Sequence, residues 1–278
     1  MAPRGQLSSG QVLTALTGPL ADPKIEKIAH NAKYDYVVLK RAGLNVSPIG
    51  FDTMLAEWIS DPGSRNLGLK RLAWVRLGVQ MTDIKELIGS GKKQKSMASV
   101  PVAQAAPYAV ADVDMTLRLA PLLHAELTQK NTLNLLLDLE LPLIPVLAEM
   151  EMTGVLLDTE FLGGLSLELE NQTNVLRKEI VLAVGYEFNL NSTQQLSKAL
   201  FDSLGLVAPR GTRRTASGHY STAASVLDEL SGDHQVVRKI IEHRELAKLH
   251  STYVQALPAA VNSESGRVHT SYNQSGTV

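Results

Sequence analysis

Apolar residues recur at helical spacing along most of this 278-residue chain, and that periodicity commits it to a largely helical fold. Among the longest such runs are "NTLNLLLDLELPLIPVLAEMEM" (131–152), "TEFLGGLSLELENQTNVLRKEIVLAVG" (159–185) and "HQVVRKIIEHRELAKLHSTYVQALPAAV" (234–261). Pro142 and Pro145 read as kinks or a restart within the first of these. "YVVLKRAGL" reads as a helix closed by Gly43, and Asn191-Ser192-Thr193 opens another with a cap signature. Strand-like segments are short and scattered: one in "EKIAHNAKYD", one in "SPIGFD", one in "TGVLLD" and the alternating tail "GRVHTSYNQSGTV". A complete α/β domain needs more strands than this to build a sheet. The expected fold class is therefore mixed α/β, mostly helical. Residues 208–220, "APRGTRRTASGHY", read as a mobile loop.

The length suffices for two cores. With no cysteine, disulfides and thiolate metal sites are excluded, and a reducing compartment is expected. The N-terminal stretch "MAPRGQLSSGQVL" lacks a signal-peptide core. The uncharged run 96–111 is interrupted by two prolines and is too polar to span a bilayer. The expectation is a cytoplasmic protein, monomeric and without a membrane partner. The formal net charge is −1, with a modest basic excess before residue 138 and an acidic one after it. Binding to nucleic acid would use local patches rather than a global field. "GSGKKQK" (89–95) is not a nucleotide loop, because Glu86 and Lys93 stand where glycine and a hydroxyl are required. His243 and His250 lie seven apart near one helix face, without a third metal ligand.

Three groups of residues carry possible chemistry. Tyr108 and Asp112 stand one helical turn apart, about 6 Å along one face. They are either a half-buried phenol beside a solvated carboxylate, or a phenol that orients a water while the carboxylate holds a metal. Asp35, between a strand-like segment and a helix, reads either as the N-cap of a helix over 36–43 or as a functional carboxylate. Arg244, Lys248 and Ser251 share a helix face apart from the apolar face of Val237, Ile240, Ile241, Leu246, Leu249 and Tyr253. That polar face is either solvated and laced with ion pairs such as Arg238–Glu242 and Glu245–Lys248, or a stripe for phosphates. "RGTRR" (210–214) is equally an ordinary loop or a basic tip.

Taken in order, "HNAKYDYVVLKRAG", "FDTMLAEWISDP" and "YAVADVDMTLRL" resemble the second and third motifs of the 3′→5′ proofreading exonuclease domain of bacterial family A DNA polymerases. "ELPLIPVLAEMEMTGVLLD", "FNLNSTQQLSKALFDSLGL", "YSTAASVLDEL", "HRELAKLHSTYVQALP" and "GRVHTSYNQ" resemble the thumb and first palm strand of the same family. The resemblance covers residues 11 to 278. It implies a partial RNase H-like exonuclease domain over 1–137, a helical polymerase thumb over 138–262 and the start of a palm over 263–278.

By the same resemblance, Asp35 and Asp112 are metal ligands and Tyr108 helps place the attacking water. The parent enzyme's cofactor is Mg²⁺ or Mn²⁺, as a pair of ions about 3.5–4 Å apart. Asn189, Asn191, Ser192, Ser221, Thr222, Arg244, Lys248 and Ser251 are the expected contacts to the DNA backbone. The partners are a primer–template duplex and a single-stranded 3′ end, in DNA replication and repair. Two carboxylates do not offset two divalent ions. The Asp-x-Glu that completes the family's ligand set does not occur among the residues before Asp35. The family's polymerase aspartates lie beyond "HTSYNQ". The leading expectation is a polymerase fragment, truncated at both ends, with an incomplete exonuclease site and no polymerase site. A self-sufficient exonuclease using Asp52 or Asp114 is the alternative, and a non-catalytic helical interaction module is a third. The part before residue 131 is expected to be marginally stable, with apolar helix faces uncovered.

Overall fold

In the computed structural model of the chain, residues 7–276 are described. They form two compact units, one of the described residues up to Gly154 together with those from Thr270 onward, the other of Val155–His269.

The first unit opens with α1 (Ser9–Ala21), β1 (Lys27–Ala29), α2 (Ala32–Arg41) and β2 (Ile49–Asp52). β1 and β2 run parallel, with Ile28 opposite Phe51 and Ala29 opposite Asp52. α3 (Thr53–Ser60), α4 (Leu69–Leu77) and the short α5 (Ile84–Ile88) follow, then the long α6 (Val102–Gln129). α7 (Leu133–Leu135), a wide π-type turn at Leu136–Glu140 and α8 (Leu141–Thr153) complete it. Leu119, Leu123 and Leu127 recur at four-residue spacing on α6 and pack with Leu55, Leu72, Leu136 and Ile144 in one core. Each such leucine contributes about 1.5–3 kcal/mol by leaving water.

Asp52 organises the entry to two helices. Its carboxylate accepts from the Met54 and Leu55 amides, capping α3, and from the Asn31 and Ala32 amides at the start of α2. Asn31 turns the chain in the left-handed region (φ 63°), which asparagine tolerates better than most residues. The expected cap at Asp35 is therefore corrected. α2 begins at Ala32, because the cap comes from a residue twenty positions away, and Asp35 lies inside the first turn. A carboxylate there also suits the positive end of the helix.

The division at Gly154 differs from the expected boundary at 137/138. Leu141 and Ile144 of α8 bury into the first core, so the helix expected to start the thumb packs with the first unit. Residues 270–276 also join that unit. The Tyr272 amide donates to Glu151 Oε1 at 2.7 Å, Lys33 Nζ donates to the Tyr272 carbonyl and to Glu151, and Gln274 Nε2 bonds buried Glu140 at 2.8 Å. Among the described residues the tail expected as a strand pairs only at Arg267–Val268.

The second unit comprises β3 (Val155–Leu156), α9 (Thr159–Val184), α10 (Thr193–Ser197) continued by a π-type stretch Lys198–Ser203, and α11 (Ala224–Leu230). It continues with α12 (Gln235–Lys248), a π-type stretch Leu249–Gln255, α13 (Ala256–Ala259) and β4 (Arg267–Val268), which pairs antiparallel with β3. Its core joins Leu176 and Ile180 of α9 to Leu196, Leu200, Leu227, Leu230, Val237 and Ile240. The segment 208–220 carries contacts of its own. Arg214 stacks on Tyr220 at 4.1 Å and donates to the Gly218 carbonyl, and the Thr215 amide donates to the His219 carbonyl. Among the described residues no helix is long and apolar enough to cross a membrane.

Candidate active site and candidate nucleic-acid interface

Asp35 from α2 and Tyr108 and Asp112 from α6 line one cavity of about 850 Å³. The i,i+4 spacing on α6 puts phenol and carboxylate on a common face. Asp52 sets the start of α2, and so the place of Asp35. His30, Lys70 and Asp83 line the same cavity. Burial, then the charge of Asp52, pushes the Asp35 carboxyl above the usual range. Burial also raises Asp112, against the opposing charge of Lys70. His30 Nδ1 lies 2.9 Å from Thr53 Oγ1, and burial lowers its imidazole to about 4, the Leu67 backbone opposing.

Asp112 lines the cavity, and its Oδ1 is buried without a hydrogen-bond partner, an unsatisfied acceptor. That suits contact with a cation. Among the described residues, however, no three His, Cys, Asp or Glu side chains converge on a common point. The donor set is therefore short of what a pair of divalent ions needs. The two substitute acids considered from the sequence do not supply it. Asp52 is 1 % exposed and committed to helix caps, and Asp114 pairs with Arg118 at 2.9 Å on the outer face of α6.

The expected DNA contacts of the second unit fall into separate groups. Exposed Asn189 and Asn191 line a cavity of about 430 Å³ with Arg177 and His243. Asn189 Oδ1 accepts from the Asn191 amide, and Ser192 Oγ caps α10 through the Gln195 amide. Thr222 is buried, and its carbonyl accepts from Arg244 Nη1 at 2.6 Å. Arg244 is half-buried, which draws its guanidinium below its ordinary value. Ser221 Oγ accepts from the Ala223 amide, and Ser251 Oγ donates to the Ala247 carbonyl. Lys248 stays exposed. Among the described residues the ion pairs expected along α12 do not form: Arg238 instead donates a hydrogen bond to the Ser231 carbonyl, and Lys239 forms an ion pair with Glu179 at 3.0 Å.

Lys70 and Arg177 line the two cavities yet sit in ordinary helical patterns that give no signal in the sequence. His30 opens the quoted "HNAKYD", and the sequence marks His243 only as a histidine without a third metal ligand. His243 Nδ1 is buried without a partner, and burial, with Arg177 and Arg244, lowers its imidazole. His250 turns instead to Ser166 Oγ at 2.8 Å.

A family model described as 3′-5′ exonuclease matches residues 5–128, and one described as DNA polymerase family A matches residues 159–278. The chain is 46% identical over 276 residues to a DNA polymerase I of Chloroflexus aurantiacus, covering 98% of this chain and 29% of that protein. It is 38% identical over 273 residues to a DNA polymerase I of Pseudomonas aeruginosa, covering 97% of this chain and 30% of that one. The chain thus spans under a third of the length of these curated relatives. A solved structure, the POL domain of Pol1 from M. smegmatis in complex with DNA primer-template and dNTP, superposes with a TM-score of 0.79 at 30% identity, covering 98% of this chain and 43% of that chain.

Proposed function

The chain belongs to DNA polymerase family A, with a 3′-5′ exonuclease region ahead of its polymerase region, and from that premise we propose that it is the exonuclease-to-thumb segment of a replication and repair polymerase. The second unit binds the backbone of primer–template DNA, without base preference, through Asn189, Asn191, Ser192, Ser221, Arg244, Lys248 and Ser251. Short polar side chains and helix starts suit phosphate oxygens. Thr222 serves by holding Arg244. The first unit holds part of a 3′→5′ exonuclease site that meets a single-stranded 3′ end. Asp35 and Asp112 are its two candidate ligands for Mg²⁺ or Mn²⁺, and Tyr108 orients the attacking water. A cytoplasmic, monomeric protein belongs to the same reading.

One observation carries the proposal. Asp35 and the Tyr108–Asp112 pair, some seventy residues apart in sequence, line one cavity within the region that matches the exonuclease family. The test combines two assays on the 278-residue chain. Binding of a primer–template duplex is expected to weaken with salt, log affinity falling by about 0.9 per phosphate neutralised for each unit of log salt. A flat response, or no binding, refutes the DNA-binding claim. A 5′-labelled single strand with Mg²⁺ or Mn²⁺ is expected to survive as well as it does with the Asp35→Ala/Asp112→Ala variant. Cleavage lost in that variant would show that these two carboxylates are required and that a further, unrecognised carboxylate completes the site, and would restore the self-sufficient nuclease.

A further inference from the structure

Lys70 stands in the first turn of α4 and lines the cavity shared by Asp35, Tyr108 and Asp112. Its Nζ lies 4.5 Å from the centroid of the Tyr108 ring. Its neighbours on that wall are engaged: Arg71 Nε donates to Asn66 Oδ1 at 3.0 Å, and Asp83 caps α5 through the Lys85 amide at 2.8 Å. Among the described residues Lys70 forms no ion pair. An ammonium over a ring face is steadied by about 0.5–1 kcal/mol and keeps donors to spare.

The cavity otherwise favours a nucleic-acid strand except for its charge. Ile84, Met97, Val113 and Leu117 line it and remain 37–60% exposed, apolar surface suited to the faces of unpaired bases. Asp35 and Asp112 repel the phosphate that would accompany those bases. Lys70 is the cation placed to offset that repulsion, held by Tyr108 beside the carboxylates. We propose that Lys70 contacts a phosphate of the single-stranded 3′ segment in this cavity and so positions the strand against Tyr108 and Asp112. The inference rests on the exonuclease reading of the pocket and names one contact within it.

The test measures affinity for an oligothymidylate of about six nucleotides across a salt series in EDTA, by fluorescence anisotropy. Lys70→Ala and Lys70→Gln are expected to bind several-fold more weakly at low salt. Their slopes of log affinity against log salt should be shallower by about 0.7, one phosphate on a single strand. Lys70→Arg is expected to restore the slope, which a merely structural loss would not explain. A Lys70→Ala slope equal to that of the unaltered chain, or no binding by the unaltered chain, overturns the proposal. Asp35→Asn/Asp112→Asn is measured alongside and is expected to tighten binding by removing repulsion. If it changes nothing while Lys70→Ala still flattens the slope, the exonuclease reading of the pocket fails and the Lys70 contact stands. Duplex binding by the second unit is read separately.

Discussion

His30 is a buried imidazole at the rim of the cavity, held beside Thr53 and lowered to about 4 by burial. The unfolded chain, with an ordinary imidazole near 6.5, binds the extra proton first as pH falls. Between those two values acidification therefore favours unfolding, and stability lost across the window amounts to roughly 3 kcal/mol. His30→Gln is expected to remove this dependence. Urea unfolding followed from about pH 7 to about pH 4.5 should show the unaltered chain losing some 2–3 kcal/mol more than the variant. Parallel pH profiles would exclude the effect. Other single residues were legible to different degrees. Spacing alone left Asp35, Tyr108 and Asp112 open to ordinary structural readings, the family resemblance singled them out, and all three line one cavity. The burial of Thr222 and the engagement of Arg244 with it were not legible, because both depend on where α11 and α12 meet.

Among the elements, α2 and α3 depend on a single shared cap. Asp52→Ala removes the acceptor for four backbone amides at two helix starts. Each cap is worth about 1 kcal/mol, so the variant is expected to lose about 2 kcal/mol, whereas Asp35→Ala should stay within about 0.5 kcal/mol. Equal losses in urea titrations of the two would return the cap to Asp35. Periodicity located nearly every helix, because the 3.6-residue repeat is a local property. It failed where the helix itself departs from that repeat. Across the π-type stretch Leu249–Gln255 the register shifts, so Leu249 and Tyr253, expected on the apolar face, are 42% and 50% exposed while Val254 is buried.

At the scale of the whole molecule, the described residues form two cores with no residue in common. The first unit also exposes Tyr34, Val38, Trp74, Val110, Val113 and Leu117, and among the described residues its sheet has two strands. It is expected to unfold at lower denaturant than the second, as apolar surface left in water contributes nothing to stability. Both tryptophans, Trp58 and Trp74, lie in the first unit. Tryptophan fluorescence should therefore report an earlier midpoint than far-ultraviolet circular dichroism. Leu123→Ala should advance the fluorescence transition by about 2–5 kcal/mol, and Ile240→Ala should advance only the later phase. Coincident midpoints would mean one cooperative unit.

By itself the amino-acid sequence determined the helical class, the order of most helices, the lack of disulfides and the family, since periodicity, composition and ordered motifs are all properties of neighbouring residues. Only the tertiary structure decided that Asp52 caps α2, that α8 packs with the first unit, and that Lys70 stands over Tyr108. Each of these joins residues from about twenty to more than a hundred positions apart, through burial, a hydrogen bond or a cation–ring contact. Such pairings are selected by how the helices pack, and no local pattern in the chain encodes them.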